Sequence, residues 1–250
     1  LGVNATMLKN EVTKMPDATE EIIEGTKKYK EGKSIFDFWL REYMGVNPEN
    51  GEAWYRASSF VAANSRILDN GDTVTNNISN ARFHYSGSSI PAVSGGITNS
   101  FRYKGFTLSA LLVYQFGGKT YDGTYASLMG TGGYGSAKHP DILRRWRNPG
   151  DITDVPRMDA ARTADFNAQS DRWLTDASFI NIRNISLSYD LPRTLLQKTR
   201  IGSAQIFVSV ENLAFISNRK GMNVQQNFGG TTTNVFSPNR SFVTGISLSF

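Results

Sequence analysis

Residues 241–250 read SFVTGISLSF. In an extended strand successive side chains point to opposite faces. Phe242, Thr244, Ile246, Leu248 and Phe250 then share one face, and Val243, Gly245, Ser247 and Ser249 share the other. The first face is apolar with an aromatic at each end. The second is small and mostly polar. Two settings produce this pattern. A soluble antiparallel sheet buries one face in a core and wets the other. A transmembrane β-barrel turns the apolar face to lipid and the small polar face to a lumen, with aromatic girdles at the two interfaces. A barrel strand crosses the hydrocarbon in about 9–11 residues, the length of this run. The commoner soluble sheet is the default for one strand read alone.

Working outward, other segments alternate in the same way. In FTLSALLVYQFGG, Phe106, Leu108, Ala110, Leu112, Tyr114 and Phe116 share a face. In AQIFVSVENL, Ile206, Val208 and Val210 oppose Gln205, Ser209 and Glu211. In NISLSYDLP, Ile185, Leu187 and Tyr189 oppose Ser186, Ser188 and Asp190, but upstream the phase flips to Ile180 and Ile182. A strand leaving the bilayer, or a β-bulge, accounts for such a flip. The pattern predicts about eight strands, near 2–12, 34–45, 52–60, 97–104, 105–117, 178–190, 204–213 and 242–250. Long and short connections between them alternate. Lys104-Gly105, GVNPENG and LPRTLLQKTRIGS are tight to moderate, whereas residues 13–33, 61–96, 118–177 and 214–241 are long. A sandwich has no reason to sort its connections this way. An outer-membrane barrel does, with short periplasmic turns and long extracellular loops. The expected fold is therefore all-β, an antiparallel up-and-down transmembrane barrel segment spanning 1–250.

Composition permits this. Of 250 residues, 39% are hydrophobic and 12% aromatic, with 23 Gly, and no stretch approaches the apolar length of a membrane helix. Barrels escape that test because their signal per strand is weak. The net charge of +5 comes from scattered basic residues, which argues against nucleic acid. With no Cys there is no disulfide framework or thiolate metal site. The opening LGVNATMLKNEV has no basic-then-apolar leader and reads as a strand entered partway. We expect the C-terminal piece of a longer protein. A self-contained eight-stranded barrel acting as a porin or adhesin is an alternative, although its loops hold nearly as much chain as its strands. A soluble carbohydrate-binding sandwich is another.

Several phrases carry a resemblance. EEIIEGTKKYKEGKSIFDFWLREYMGVNPENGEAWY is followed by TNSFRYKGFTLSALLVYQFGGKTYDGTYASLM and ILRRWRNPGDITDVPRM. Then come SDRWLTDASFINIRNISLSYDLPRTLLQKTRIGSAQIFVSVENL and SPNRSFVTGISLSF. Taken in this order, the sequence resembles the C-terminal barrel region of SusC/RagA-like TonB-dependent outer-membrane transporters. The resemblance implies the last third or so of a plugged barrel of roughly 22 strands, without the plug domain, the TonB-contacting segment or the earlier strands. It implies import of oligosaccharides or peptides, a SusD-like surface lipoprotein as lid, energy from the TonB complex, and no enzymatic activity or cofactor. Its setting is the outer membrane of a Gram-negative, Bacteroidota-type bacterium. It also implies that the barrel-assembly machinery reads the terminal strand, here Phe242, Ile246, Leu248 and Phe250.

The remaining motifs are weak. GTGGYG, residues 130–135, matches a dinucleotide fingerprint in form only, since Pro140 soon breaks any helix after it. It reads as a Gly-rich loop. His84 and His139 lack ligand-like spacing to acids. Asp151, Asp154 and Asp159 lack the alternate spacing of a calcium loop and read as turn residues around Pro149-Gly150. PDILRRWRN has the charge polarity of a short helix. Tyr121 and Tyr125 follow a strand and suit an extracellular girdle. Trp146 and Trp173 read first as loop core, and more sharply as lid contacts or sugar-stacking platforms. The candidate loop or lid contacts are thus Tyr121, Tyr125, Trp146 and Trp173.

Overall fold

The structure is a computed structural model that describes residues 1–132, 135–219, 221–225, 228–232 and 238–250. Its main element is a six-stranded antiparallel sheet in which strands neighbour one another in chain order. These are β1 (Gly2–Thr6), β2 (Val93–Tyr103), β3 (Phe106–Phe116), β4 (Phe179–Asp190), β5 (Ser203–Ser217) and β6 (Ser241–Ser249). Among the described residues no helix is long and apolar enough to cross a membrane.

The strand registers join the alternating faces into one surface. Phe106 sits opposite Tyr103 on one side and Tyr189 on the other, and Tyr189 is opposite Ile206, which is opposite Ile246. A parallel row runs Phe101, Leu108, Leu187, Val208, Thr244. The other face carries rows such as Ser100, Ser109, Ser186, Ser209. The phase flip in β4 is a bulge. The register slips at Arg183 against both neighbours, which returns Ile182 to the face of Leu112 and Ile185 to that of Ala110. Asn212, at φ +50, absorbs the matching irregularity in β5.

Two of the predicted strands do not join this sheet. Residues 34–45 and 52–60 instead supply Asp37–Arg41, Tyr43–Val46 and Ala53–Arg56 to two separate four-stranded sheets. Their alternation is real, but it serves a protein core: Phe38, Leu40, Ala53 and Tyr55 are buried. Period two reports only that one face differs from the other, not what that face meets. A further hairpin, Glu21–Glu24 with Lys27–Lys30, turns through Gly25 at φ +57 and lies in what reads as charged loop.

The sorting of connections survives with six strands. Residues 7–92, 117–178 and 218–240 join strands at one end of the sheet. Lys104-Gly105 and residues 191–202 join them at the other. Lys104 and Gly105 both have positive φ, +46 and +85, as a two-residue primed turn requires. The long connections fold into a cap. One apolar core joins Phe38 and Leu40 of the first connection to Tyr121, Met129, Ile142, Val155 and Trp173 of the second. Another joins Ala53, Tyr55 and Ala81 to Phe166 and Ala168.

Candidate functional site

The apolar face of the main sheet has no protein layer over it among the described residues. Phe101, Phe106, Leu108, Leu187, Val208 and Ile246 are each more than two-fifths exposed, and both clusters of buried apolar residues lie in the cap. A contiguous exposed apolar surface marks an interface. Aromatics gather at the short-turn end, where Phe106 lies 4.4 Å from Tyr189 with Tyr103 opposite. At the other end Tyr114 and Phe116 are 5.6 Å apart. The terminal-strand residues Phe242, Ile246 and Leu248 lie on this face at 71%, 66% and 47% exposure, and Phe250 follows at 88%.

At the foot of the cap, where chain leaves and re-enters the main sheet, residues 8–11, 90–92, 117–119 and 174–176 border a cavity of about 890 Å³. Lys33, Asp37, Lys119, Asp171 and Asp176 give it charges of both signs. Nearby, Lys27 is buried, and its ammonium donates to the Phe36 carbonyl at 2.6 Å and the Ser89 hydroxyl at 3.1 Å while lying 3.3 Å from the Phe38 ring centre. Burial pushes this group down to about 7, against the opposing pull of Asp37. Ser89 in turn donates to the Phe228 carbonyl, and Tyr121 N–H to the Gly230 carbonyl at 2.7 Å. These bonds tie the third connection to the other two.

The candidate loop residues separate by position. Trp173 and Tyr121 are buried in the cap core, and the Trp173 indole N–H donates to the Ala168 carbonyl at 2.9 Å. Neither offers a ring face to a ligand, and Tyr121 sits in the cap rather than on the sheet. Tyr125 packs against that core. Its hydroxyl donates to Asp141 at 2.7 Å, and the Arg219 guanidinium lies 3.7 Å from its ring centre. Trp146 is half-buried and pins two connections together. Its indole N–H donates to the Pro48 carbonyl at 3.0 Å, and its ring fills the space where a side chain at Gly51 would project.

The acids of the weak motifs build local structure. Asp151 accepts from the Arg147 and Asn148 amides, and Asp159 caps a short helix while pairing with Arg157. Pro140–Arg144 is a short 3-10 helix capped by His139. His84 contacts Asp171 at 2.9 Å. No cluster of metal-ligating groups occurs among the described residues. Within the Gly-rich stretch 130–135, Gly133 and Tyr134 lie outside the described residues. Sequence reading missed Lys27 and its partners, because nothing in KKYK says which lysine points inward.

TonB-dependent receptor P3 of Formosa agariphila is 26% identical over 276 residues, covering 99% of this chain and 26% of that receptor. The chain resembles TonB-dependent receptors. A second from the same organism, TonB-dependent receptor P39, is 28% identical over 70% of the chain and 18% of its own length. The chain therefore spans about a quarter or less of these receptors. No family model matches it. Among solved structures, the RagAB peptide transporter superposes with a TM-score of 0.79 at 22% identity, over 96% of this chain and 26% of that one. The RagAB peptide importer in its closed-closed state gives 0.80 at 23%, with the same coverage. These superpositions show that the chain shares its fold with part of the RagAB chains they match.

Proposed function

We propose that this chain forms part of the barrel wall and the outward-facing cap of an outer-membrane active transporter. Residues 1–250 supply six wall strands of a longer barrel whose remaining strands pair with the free edges of β1 and β6. The apolar face meets lipid, because a sheet face without a protein layer needs a solvent that does not penalise it. The polar face of Ser, Thr, Asn and Gly lines the lumen. Closure removes the edges that hydrocarbon cannot satisfy. The long connections lie outside the cell, where a SusD-like lipoprotein closes the mouth over a bound oligosaccharide or peptide. Energy reaches the barrel through TonB-contacting parts beyond this chain. The assembly machinery reads Phe242, Ile246, Leu248 and Phe250. Tyr125 and Trp146 are the aromatic residues left to face a lid or a ligand. The chain carries out no chemical step. The receptor and importer likenesses support transport over catalysis.

One observation carries this reading. All long connections leave one end of a sheet whose apolar face is uncovered among the described residues. The test uses the full-length protein in a background without other reactive thiols, which this cysteine-free chain permits. A cysteine at Ile152, 98% exposed in the cap, should react with a membrane-impermeant maleimide on intact cells. One at Lys104 should react only after the outer membrane is permeabilised. The reverse pattern, or equal labelling of both in a soluble fraction, overturns the orientation.

A further inference from the structure

At the short-turn end of the main sheet two connections lie side by side. Lys104-Gly105 joins β2 to β3, residues 191–202 join β4 to β5, and the Asp190 amide donates to the Gly105 carbonyl at 2.9 Å. The longer connection is folded by local bonds. The Leu195 amide donates to the Pro192 carbonyl at 3.0 Å, the Thr199 hydroxyl to the Leu196 carbonyl at 2.8 Å, and the Gly202 amide to the Ser249 carbonyl at 2.6 Å. Leu196 is buried, whereas its neighbour Leu195 is 66% exposed. The charge at this end has one sign. Lys104, Arg193, Lys198 and Arg200 are exposed, and none of them forms an ion pair among the described residues. Within residues 99–109, 186–206 and 244–250 the one acidic side chain is Asp190. Both its oxygens are taken, one by Arg102 at 2.7 Å and the other by Gln205 at 2.6 Å. Arg102 lies on the polar face, opposite Thr107. Lys104 turns the other way. Its ammonium lies 5.2 Å from the ring centre of Tyr103, which belongs with Phe106 and Tyr189 to the aromatic row that ends the apolar face. Toward the cap, by contrast, Asp171 and Asp176 accompany Lys33 and Lys119.

We infer that this end is a docking surface for the phosphate headgroups of anionic phospholipid in the periplasmic leaflet. Along the sheet the chemistry follows the order of half a bilayer: apolar rows, then the aromatic row, then unpaired cations. Acyl chains that cover the apolar face bring their phosphates to the level just beyond Tyr103, Phe106 and Tyr189. There Arg193 and Arg200 offer forked donors to phosphate oxygens, and Lys104 and Lys198 add point charges. Leu195, exposed among these cations, enters the interface as apolar residues of basic amphipathic segments do. Free phosphate is the poorer fit. The cations are exposed, so a dissolved ion gains little there and is screened by salt. A headgroup is held beside them by its own chains, which raises its effective concentration. An acidic protein would have to sit where the lipid surface already lies. The consequence is a wall that selects anionic over zwitterionic lipid beside these turns. This deepens the barrel-wall reading and rests on it.

The test puts a fluorophore on the surface itself. Thr194→Cys in the full-length protein, otherwise free of reactive thiols, is labelled with bimane and reconstituted into phosphatidylcholine vesicles. The quencher is a minor fraction of phospholipid with a nitroxide high on its acyl chain, offered either as phosphatidylglycerol or as phosphatidylcholine. The phosphatidylglycerol form should quench roughly twofold more strongly at equal content. That preference should vanish in about 1 M salt, where the Debye length is about 3 Å. In the combined variant Arg193→Gln, Lys198→Gln, Arg200→Gln the two lipids should quench equally. A preference that survives either high salt or the triple substitution would overturn the proposal. So would one abolished by millimolar inorganic phosphate, which would assign the cations to the free ion. The salt and phosphate arms need no charge variant, so they decide the matter even if the triple variant fails to fold. Equal quenching by both lipids in the labelled parent leaves the barrel-wall reading standing and fails this inference alone. Quenching by neither places the turn away from a membrane and overturns both.

Discussion

Lys27 shows how one residue ties the cap to solution conditions. Its ammonium is held among Phe36, Phe38 and Ser89, and burial lowers its pKa from 10.5 to about 7. The folded state therefore binds fewer protons than the unfolded state between those values. Burial of the charge costs most below about pH 7, and stability rises with pH from there toward 10.5. Cap amides should exchange hydrogen more slowly at about pH 9 than at about pH 6.5, once intrinsic rates are corrected. Lys27→Met should flatten that difference, and a difference of the same size in the variant would assign it to another group. Local reading of KKYKEGK yields a charged loop. Only packing singles out Lys27, because its partners at positions 36, 38 and 89 are brought to it by strand pairing.

At the scale of the strand, β3 gives a paired expectation. Leu112 lies on the apolar face near mid-strand, and Ser109 lies on the polar face. Leu112→Arg should cost about 2–4 kcal/mol in a lipid-facing position at mid-bilayer, read as loss of the heat-modifiable folded band of the full-length protein. Ser109→Arg should leave that band in place. Equal tolerance at both positions would mean the apolar face is not in lipid. The facing of these residues was legible in the sequence because side-chain alternation follows from backbone geometry. So were the tight turn at Lys104-Gly105 and a strand near 178–190. The flip at Ile180 and Ile182 was visible but open to two accounts, and the register slip at Arg183 chose the bulge. The strands near 34–45 and 52–60 were placed in the wall because a core-facing strand and a lipid-facing strand carry the same period.

At the scale of the molecule, the first two connections of the cap share one apolar core. Trp173, from the second connection, is buried beside Phe38 and Leu40 of the first. Trp173→Ala should cost about 3–5 kcal/mol and open both connections together. Hydrogen exchange should rise in residues 37–41 and 174–176 alike, and a rise confined to the second would mean that the shared core does not couple them. The main sheet should keep its protection, because none of its strands contributes to that core.

By itself the sequence determined the all-β class, the division of each main-sheet strand into an apolar and a polar face, and the sorting of long from short connections. These follow from alternation, turn chemistry and chain length between strands, all local along the chain. Only the tertiary structure decided which alternating segments join the main sheet, which aromatics are buried, where a lysine loses its water, and that nothing of the described chain covers the apolar face. The reason is physical. A backbone sets which way a side chain points, but the medium it meets is set by residues distant in sequence.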